Sequence, residues 1–480
     1  MNSDDGASVE GNVSKLIKFF AICCICLLSV SLCLYAIYSA LSVNHFMGRN
    51  FISALLIGFI LSSLICWSEC TIFKEKKFKI FACLSAHVIL FVIVIWVNIL
   101  PFGEFSSLLQ KIVAFDAGKG SFFAKNSFPS VVLAYSFLLP DNLDNLLYIR
   151  TIVVFLWGLQ SLLVWCLVSN ISVMRDRVMS ITIVLALLSN PVIYTGFPTE
   201  GVMFTIPVLL GMLIGNAPLR ASLIMRSIAS GIAYGLAFWV SPLALIFISA
   251  HVISAHVGVM SWRGSHRVQK SDEKNTTYYA VVALIVSFLF LSISHKGVQT
   301  VMEHFYGDNK SLNQVNSLPV SQQDISTMQN IEETIDSNAE IDAKIANRFR
   351  SFFLMKHGFS LVVPSHDIIA SIAGGLLEKG FFSGAGEVVA DFLMGIRFFI
   401  FSLGIIGLVY FVKALDKFPR AVLFFLVPVT GLVIYGFFFS ADYRTYEVLM
   451  PFLVPFTIQG VDKCVNYLVS FFSKQRGKTT

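Results

Sequence analysis

Charge is what this chain is short of. Only 13% of its 480 residues are Asp, Glu, Lys or Arg, against 56% hydrophobic residues and a mean hydropathy of +0.75. Soluble domains carry about a quarter charged residues, so the scarcity excludes an ordinary water-soluble fold and predicts a polytopic membrane protein. The nine cysteines leave 169–463 empty, and Cys23, Cys24, Cys26, Cys33, Cys66, Cys83 and Cys166 stand inside apolar runs. They are expected to be small buried hydrophobes, not a disulfide framework or metal cluster. Chemical motifs are missing as well. Gly374, Gly375, Gly384 and Gly386 belong to no Gly-x-x-x-x-Gly-Lys-Ser/Thr run and are therefore no phosphate loop. There is no His-x-x-x-His and no nucleophile elbow. No metal or other cofactor is called for, and no nucleic-acid motif stands behind the net charge of +6.

Long apolar runs take the place of these features. A helix needs roughly 20 apolar residues to cross the hydrocarbon core of a bilayer. That rule predicts about twelve crossings, at residues 16–42, 51–70, 80–100, 149–168, 178–195, 201–215, 222–239, 241–260, 279–295, 394–413, 420–440 and 447–468. The first follows a polar, acidic start (MNSDDGASVEGNVSK) and is too long for a signal-peptide core, so it reads as an uncleaved span. The fold class expected is all-α, a polytopic membrane helix bundle with an amphipathic interfacial helix and one large outward loop.

Basic residues give the orientation. Lys15 and Lys18 precede the first span, Lys74, Lys76, Lys77 and Lys79 follow the second, Arg175 and Arg177 the fourth, and Arg220 and Arg226 flank the turn after the sixth. Arg263, Arg267, Lys270 and Lys274 follow the eighth span, Lys413, Lys417 and Arg420 the tenth, and Lys474, Arg476 and Lys478 the last. The short turns between carry only Arg444. Lys and Arg collect on cytoplasmic loops, so both termini are expected in the cytoplasm and the intervening loops on the outer side of a cell inner (cytoplasmic) membrane.

Two outward segments are long. The first, 101–148, opens with Phe102, Phe105, Leu109 and Val113 at helical spacing, the pattern of a helix lying in the interface. It continues as FDAGKGSFFAKNSFPSVVLAYSFLLP over 115–140, where the chain stops spanning and sets Asp116, Lys119 and Lys125 beside the membrane. The second, 296–391, is polar and acidic at its centre, with one helix expected over 325–353, and returns as GFSLVVPSHDIIASIAGGLLEKGFFSGAG, a glycine-bearing apolar stretch expected to touch lipid. Four regions follow: a tail and two added spans over 1–75, a core over 76–295 with its outward loop 101–148, a large outward loop over 296–392, and three spans with a basic tail over 393–480.

A particular order of features runs through these regions. Asp116 precedes the aromatic Phe122 and Phe123 and then FPSVVLAYSFLL, led by Pro129; Arg150 opens the next span. LLSNPVIYTGFPTEG then ends a span in Asn-Pro and turns outward with Glu200. SGIAYGLAFWVSPLALIFI breaks at Ser241 and Pro242, and SADYRTYEVLMPFLVPF carries Arg444, Pro451 and Phe452 near the end. In this order the chain resembles the GT-C superfamily of membrane glycosyltransferases, which includes protein O-mannosyltransferases, the lipid-A aminoarabinose transferase and the serotype-converting O-antigen glucosyltransferases. It departs from the pattern in three places. The acidic loop follows the third span instead of the first, a single Asp stands where many relatives have two acids, and Ser-Pro replaces Arg-Pro.

The resemblance implies a glycosyltransferase that moves a sugar from a polyprenyl-phosphate donor to a glycan or lipid-linked acceptor, as in O-antigen or other lipopolysaccharide modification. It implies a carboxylate general base, for which Asp116 stands in the matching place; the residues themselves add Lys119, Lys125 or Arg444 at the donor phosphate and Glu200, Tyr443 and His366 as further substrate contacts, and nothing visible requires a metal. The chemistry is coherent. The leaving group is already a phosphate anion, so nearby cations stabilise it without protonation, and a positioned base contributes about 10²- to 10⁴-fold. Plainer readings stand beside these. AFDAGKGS has the look of a glycine-punctuated turn capped by Asp116. Lys119 and Lys125 would reach headgroups in any membrane protein, Glu200 suits a helix start, and Arg444 lies between Asp442 and Glu447 as an ion-pair partner. Two other functions fit a chain of this kind, an O-antigen polymerase and a lipid flippase or transporter.

Overall fold

The computed structural model describes residues 18–19, 21–30, 32–33, 85, 88, 146–169, 200–216, 222–261, 270–307, 385–414, 419–438 and 443–476. Among the described residues there are helices and no strand. They form α1 (Ala21–Val30), α2 (Leu146–Ser169), α3 (Glu200–Asn216), α4 (Leu223–Val240), α5 (Ala244–Ser261), α6 (Lys270–Gly307), α7 (Ala385–Ala414), α8 (Pro419–Phe438) and α9 (Tyr443–Arg476). Stretches in α4, α6 and α7 are long and apolar enough to cross a membrane, at Leu223–Val240, Asn275–Ser294 and Gly395–Lys413. The protein is therefore membrane-associated. The spans expected at 51–70 and 178–195, the interfacial helix and the 325–353 helix lie outside the described residues, and of 80–100 only Ser85 and Val88 are described.

Where helices are seen, they fall on the apolar runs. α2 to α5 match four expected spans to within about three residues, because each run is closed by a polar or proline-bearing turn. Ser222 caps α4, its hydroxyl accepting from the Met225 amide at 3.3 Å. At the other end of α4, Ser241 takes an extended conformation and its amide still donates to the Ala237 carbonyl at 2.9 Å. Pro242 follows, where no amide hydrogen is needed, and the chain reverses into α5 within three residues. Two helices run further than their apolar stretches. α6 begins at Lys270 and ends at Gly307, and α7 begins at Ala385, so the segment expected as one loop over 296–391 opens and closes in helix.

The helices alternate in direction. Phe204 of α3 meets Phe247 of α5 edge-on, with ring centroids 5.9 Å apart, and Phe247 meets Phe452 of α9 at 4.6 Å, so α3, α5 and α9 start at one end of the bundle. α4 pairs with α5 as a hairpin and runs alongside α6, where Trp239 donates to the Leu291 carbonyl at 2.7 Å. α7 lies parallel to α9, and α8 runs against α5. The end at which α3, α5, α7 and α9 begin is called the upper end below; α4, α6 and α8 finish there. The chain thus leaves α6 and enters α7 at the same end.

Close contact depends on small residues, as expected where lipid is as apolar as any side chain. A Cβ on Gly407 would strike the Phe456 carbonyl, and one on Gly460 would strike the Leu403 carbonyl, so α7 and α9 touch backbone to backbone. The Thr457 hydroxyl donates across this contact to the Ile400 carbonyl at 3.1 Å. Gly231 brings α4 against the Leu284 carbonyl of α6, and Gly235 makes room for the Leu291 side chain. Buried polar groups bridge other helices, with Gln160 donating to Thr205 at 2.6 Å between α2 and α3, and Tyr234 hydrogen-bonded to His251 at 3.3 Å between α4 and α5. α1 also enters the core through Ala21, Cys24 and Leu28, all fully buried, and so is integral to the bundle.

The expected burial of the cysteines needs correction. Of those expected in apolar runs, Cys24 is buried, whereas Cys26 and Cys33 are exposed and Cys23 and Cys166 are half-buried. Apolar composition in a bilayer does not distinguish a protein-facing from a lipid-facing position.

Candidate functional site

Among the described residues, the upper end gathers Glu200, Tyr443, Arg444 and the Ser241 and Pro242 turn. Glu200 is the first residue of α3, and Tyr443 and Arg444 are the first two of α9. The Ser241 and Pro242 reversal between α4 and α5 lies at the same end. Asp116, Lys119, Lys125 and His366 lie outside the described residues. Arg150 is the fifth residue of α2.

Two charged residues that sequence reasoning left aside stand out. Glu447, expected at the start of the last span and as an ion-pair partner of Arg444, lies in the second turn of α9 and is completely buried. Its carboxylate rests on the first turn of α3, where a Cβ added to Gly201 would stand 2.5 Å from the Glu447 Cγ, Cδ and Oε2. Arg397 is 1% exposed and lies one turn above Ile400 on α7, whose carbonyl accepts from Thr457. A charge costs heavily in an apolar interior unless it is satisfied, so what packs around these two side chains matters to the fold. One signal was available for Glu447: it stands at the head of a run that is apolar from Val448 to Ile458 apart from Thr457. Arg397 was hidden by the placement of the span boundary at 394, which made it look like an end residue.

Physical chemistry favours an acid where Glu447 sits. The first amides of an α-helix have no partner within the helix, and the aligned peptide dipoles put partial positive charge there. A carboxylate near that turn is favoured by the dipole. The tight fit is possible because residue 201 has no side chain.

The opposite, lower end has a different character. Lys270 and Lys274 open α6, Lys413 closes α7, Arg420 opens α8, and Lys474 and Arg476 close α9. The ammonium groups of Lys413 and Lys463 both lie 5.5 Å from the centre of the half-exposed Tyr410 ring. A tyrosine flanked by lysines is characteristic of the boundary between lipid and water. Among the described residues no group of three or more His, Cys, Asp or Glu side chains is placed to hold a metal.

Compared with protein-family models, curated proteins and solved structures, the chain matches none.

Proposed function

We propose that the protein is an integral membrane glycosyltransferase of the GT-C kind, which transfers a sugar from a polyprenyl-phosphate donor to a glycan or lipid-linked acceptor in surface-polysaccharide modification. Asp116 is the general base. Lys119, Lys125 and Arg444 meet the donor phosphate, and Glu200, Tyr443 and His366 contact the substrates. The donor's chain stays in the bilayer while its phosphate meets the interface, so every participant must stand at one depth. The observation that carries the reading is that the starts of α3 and α9, with Glu200, Tyr443 and Arg444, and the Ser241 and Pro242 reversal share the upper end. The lower end holds the Lys and Arg clusters, which supports an inner-membrane orientation with the upper end outside and the termini in the cytoplasm. The fold proposed around this site has about twelve spans, with 308–384 forming the greater part of the large outer loop.

Purified protein incubated with polyprenyl-phosphate hexoses should release polyprenyl phosphate, and Asp116→Asn should abolish the release while leaving expression intact. Near-normal turnover by that variant would reject the base. A flippase is the second reading, favoured by the burial of Arg397 in an apolar helix, since transporters place ionisable residues within spans. Lipid movement without bond cleavage would establish it instead, and extension of the acceptor by whole repeat units would point to a polymerase.

A further inference from the structure

The contact between Glu447 and Gly201 joins two helix starts that are far apart in sequence. α9 opens with Tyr443 and Arg444, and four residues after Tyr443 its chain inserts a fully buried carboxylate against α3. α3 opens with Glu200, and the next residue is the glycine under that carboxylate. The two starts are thus held at fixed height and rotation by one acid that reaches no solvent. Apolar packing alone would leave sliding soft, because lipid-like surfaces have no directional preference. A carboxylate seated on the first turn of a helix has one, through its close fit over a residue without a side chain and the dipole of that helix.

We propose that Glu447 is a positioning residue whose carboxylate, seated on Gly201, clamps the start of α9 to the start of α3 and thereby sets where Glu200, Tyr443 and Arg444 stand. The positioning of substrate groups rests on the transferase reading; the clamp itself does not. Its requirements are specific. Gly201 must lack a side chain, residue 447 must be long enough to reach the α3 turn, and its charge must remain. Asp is one methylene short, Gln has the length without the charge, and Ala has neither.

The test uses full-length protein in lipid nanodiscs. Thermal unfolding of the wild type, Gly201→Ala, Glu447→Ala and the double variant forms a cycle, in which residues in contact depart from additivity. Gly201→Ala is expected to lower the midpoint by about 5 °C or more. The double variant should be no less stable than Glu447→Ala alone, because the shortened side chain relieves the collision. Additive losses would overturn the clamp. Should Gly201→Ala fail to accumulate, recovery of folded protein on adding Glu447→Ala supports the clamp, and no recovery overturns it. Kinetics then address positioning. Glu447→Gln should keep its unfolding midpoint within a few degrees yet lose about tenfold or more in kcat for polyprenyl phosphate release, with the donor KM within about threefold. Glu447→Asp should recover part of the loss. Wild-type kcat in Glu447→Gln would refute the positioning role. If wild type releases no polyprenyl phosphate from any hexose donor, the transferase reading fails, and the unfolding cycle still decides the clamp.

Discussion

α9 and α6 are the two longest helices described, 34 and 38 residues, and they use the same apolar alphabet to opposite ends. Every residue of α9 over 447–461 is buried, while over 275–294 α6 buries only Ala280, Leu284 and Phe288, one narrow stripe at four-residue spacing. The rest of α6 shows Val282, Ile285, Val286, Leu289, Phe290 and Ile293 to the outside. In water such a face would be a liability; in a bilayer it has no cost. What separates the helices is the polar and small residues. α9 carries Glu447, Thr457, Gln459 and Gly460 inward, and the exposed face of α6 between 282 and 293 is wholly apolar apart from the Ser292 hydroxyl, which is satisfied within its own helix by the Phe288 carbonyl. Burial here is decided by close backbone approach and by the need to satisfy polar atoms, not by hydrophobicity.

If that account holds, the most damaging change should be on the α7 and α9 seam. Gly407→Val puts a branched side chain where the Phe456 carbonyl already lies, and α7 cannot retreat without losing the Thr457 hydrogen bond and the Gly460 contact. Overpacking against backbone has no flexible neighbour to yield, so the cost should exceed about 3 kcal/mol. Size-exclusion profiles of the detergent-solubilised protein should show aggregate in place of the wild-type peak. A monodisperse variant with wild-type thermal stability would mean that the seam is looser than drawn. Next in size is a charge on the other helix. Phe290 is 74% exposed, and Phe290→Arg at that depth should cost about 3 kcal/mol of insertion free energy. A membrane-insertion assay on the α6 segment should show the loss, and unchanged insertion would place that face in contact with water.

The sequence disclosed those parts of the fold that follow from composition. Apolar runs closed by Ser, Pro or basic residues gave the positions of α2 to α5 and α8 to within about three residues, since hydropathy and helix-breaking chemistry act locally. It disclosed less at α6 and α7, because a helix can continue past the bilayer: KGVQTVMEHFYG contains no proline, the lone Gly297 does not stop the helix, and α6 goes on to Gly307. Of the candidate site, the helix starts bearing Glu200 and Arg444 were marked by turn composition and by family likeness. Glu447 and Arg397 were not, since the value of a charge in a span depends on what packs against it, and Gly201 is a neighbour of Glu447 only in three dimensions.

Smaller effects refine the comparison. Thr457→Val keeps the shape of the α9 side chain and removes the 3.1 Å hydrogen bond to Ile400. Hydrogen bonds between helices in membranes are worth about 0.6 kcal/mol on average, up to roughly 1.7, so the unfolding free energy in mixed micelles should fall by about that amount. A fall much above 2 kcal/mol would mean that Thr457 holds more than one bond's worth of structure.

The smallest effect should come from trimming the exposed face of α6. Val286 is 58% exposed and, among the described residues, faces no helix on its outer side, so Val286→Ala exchanges contacts with acyl chains for contacts with other acyl chains. Its effect on unfolding should lie within about 0.5 kcal/mol, the range of surface substitutions elsewhere. The same truncation inward, Leu284→Ala, removes a side chain only 1% exposed and should cost clearly more, about 2 kcal/mol or above, because the Leu284 backbone already lies against α4 at Gly231 and the two helices cannot close further to fill the gap. Equal losses from the two changes would show that the outer face of α6 is packed against protein, and would remove the contrast with α9 on which the reading of this bundle stands.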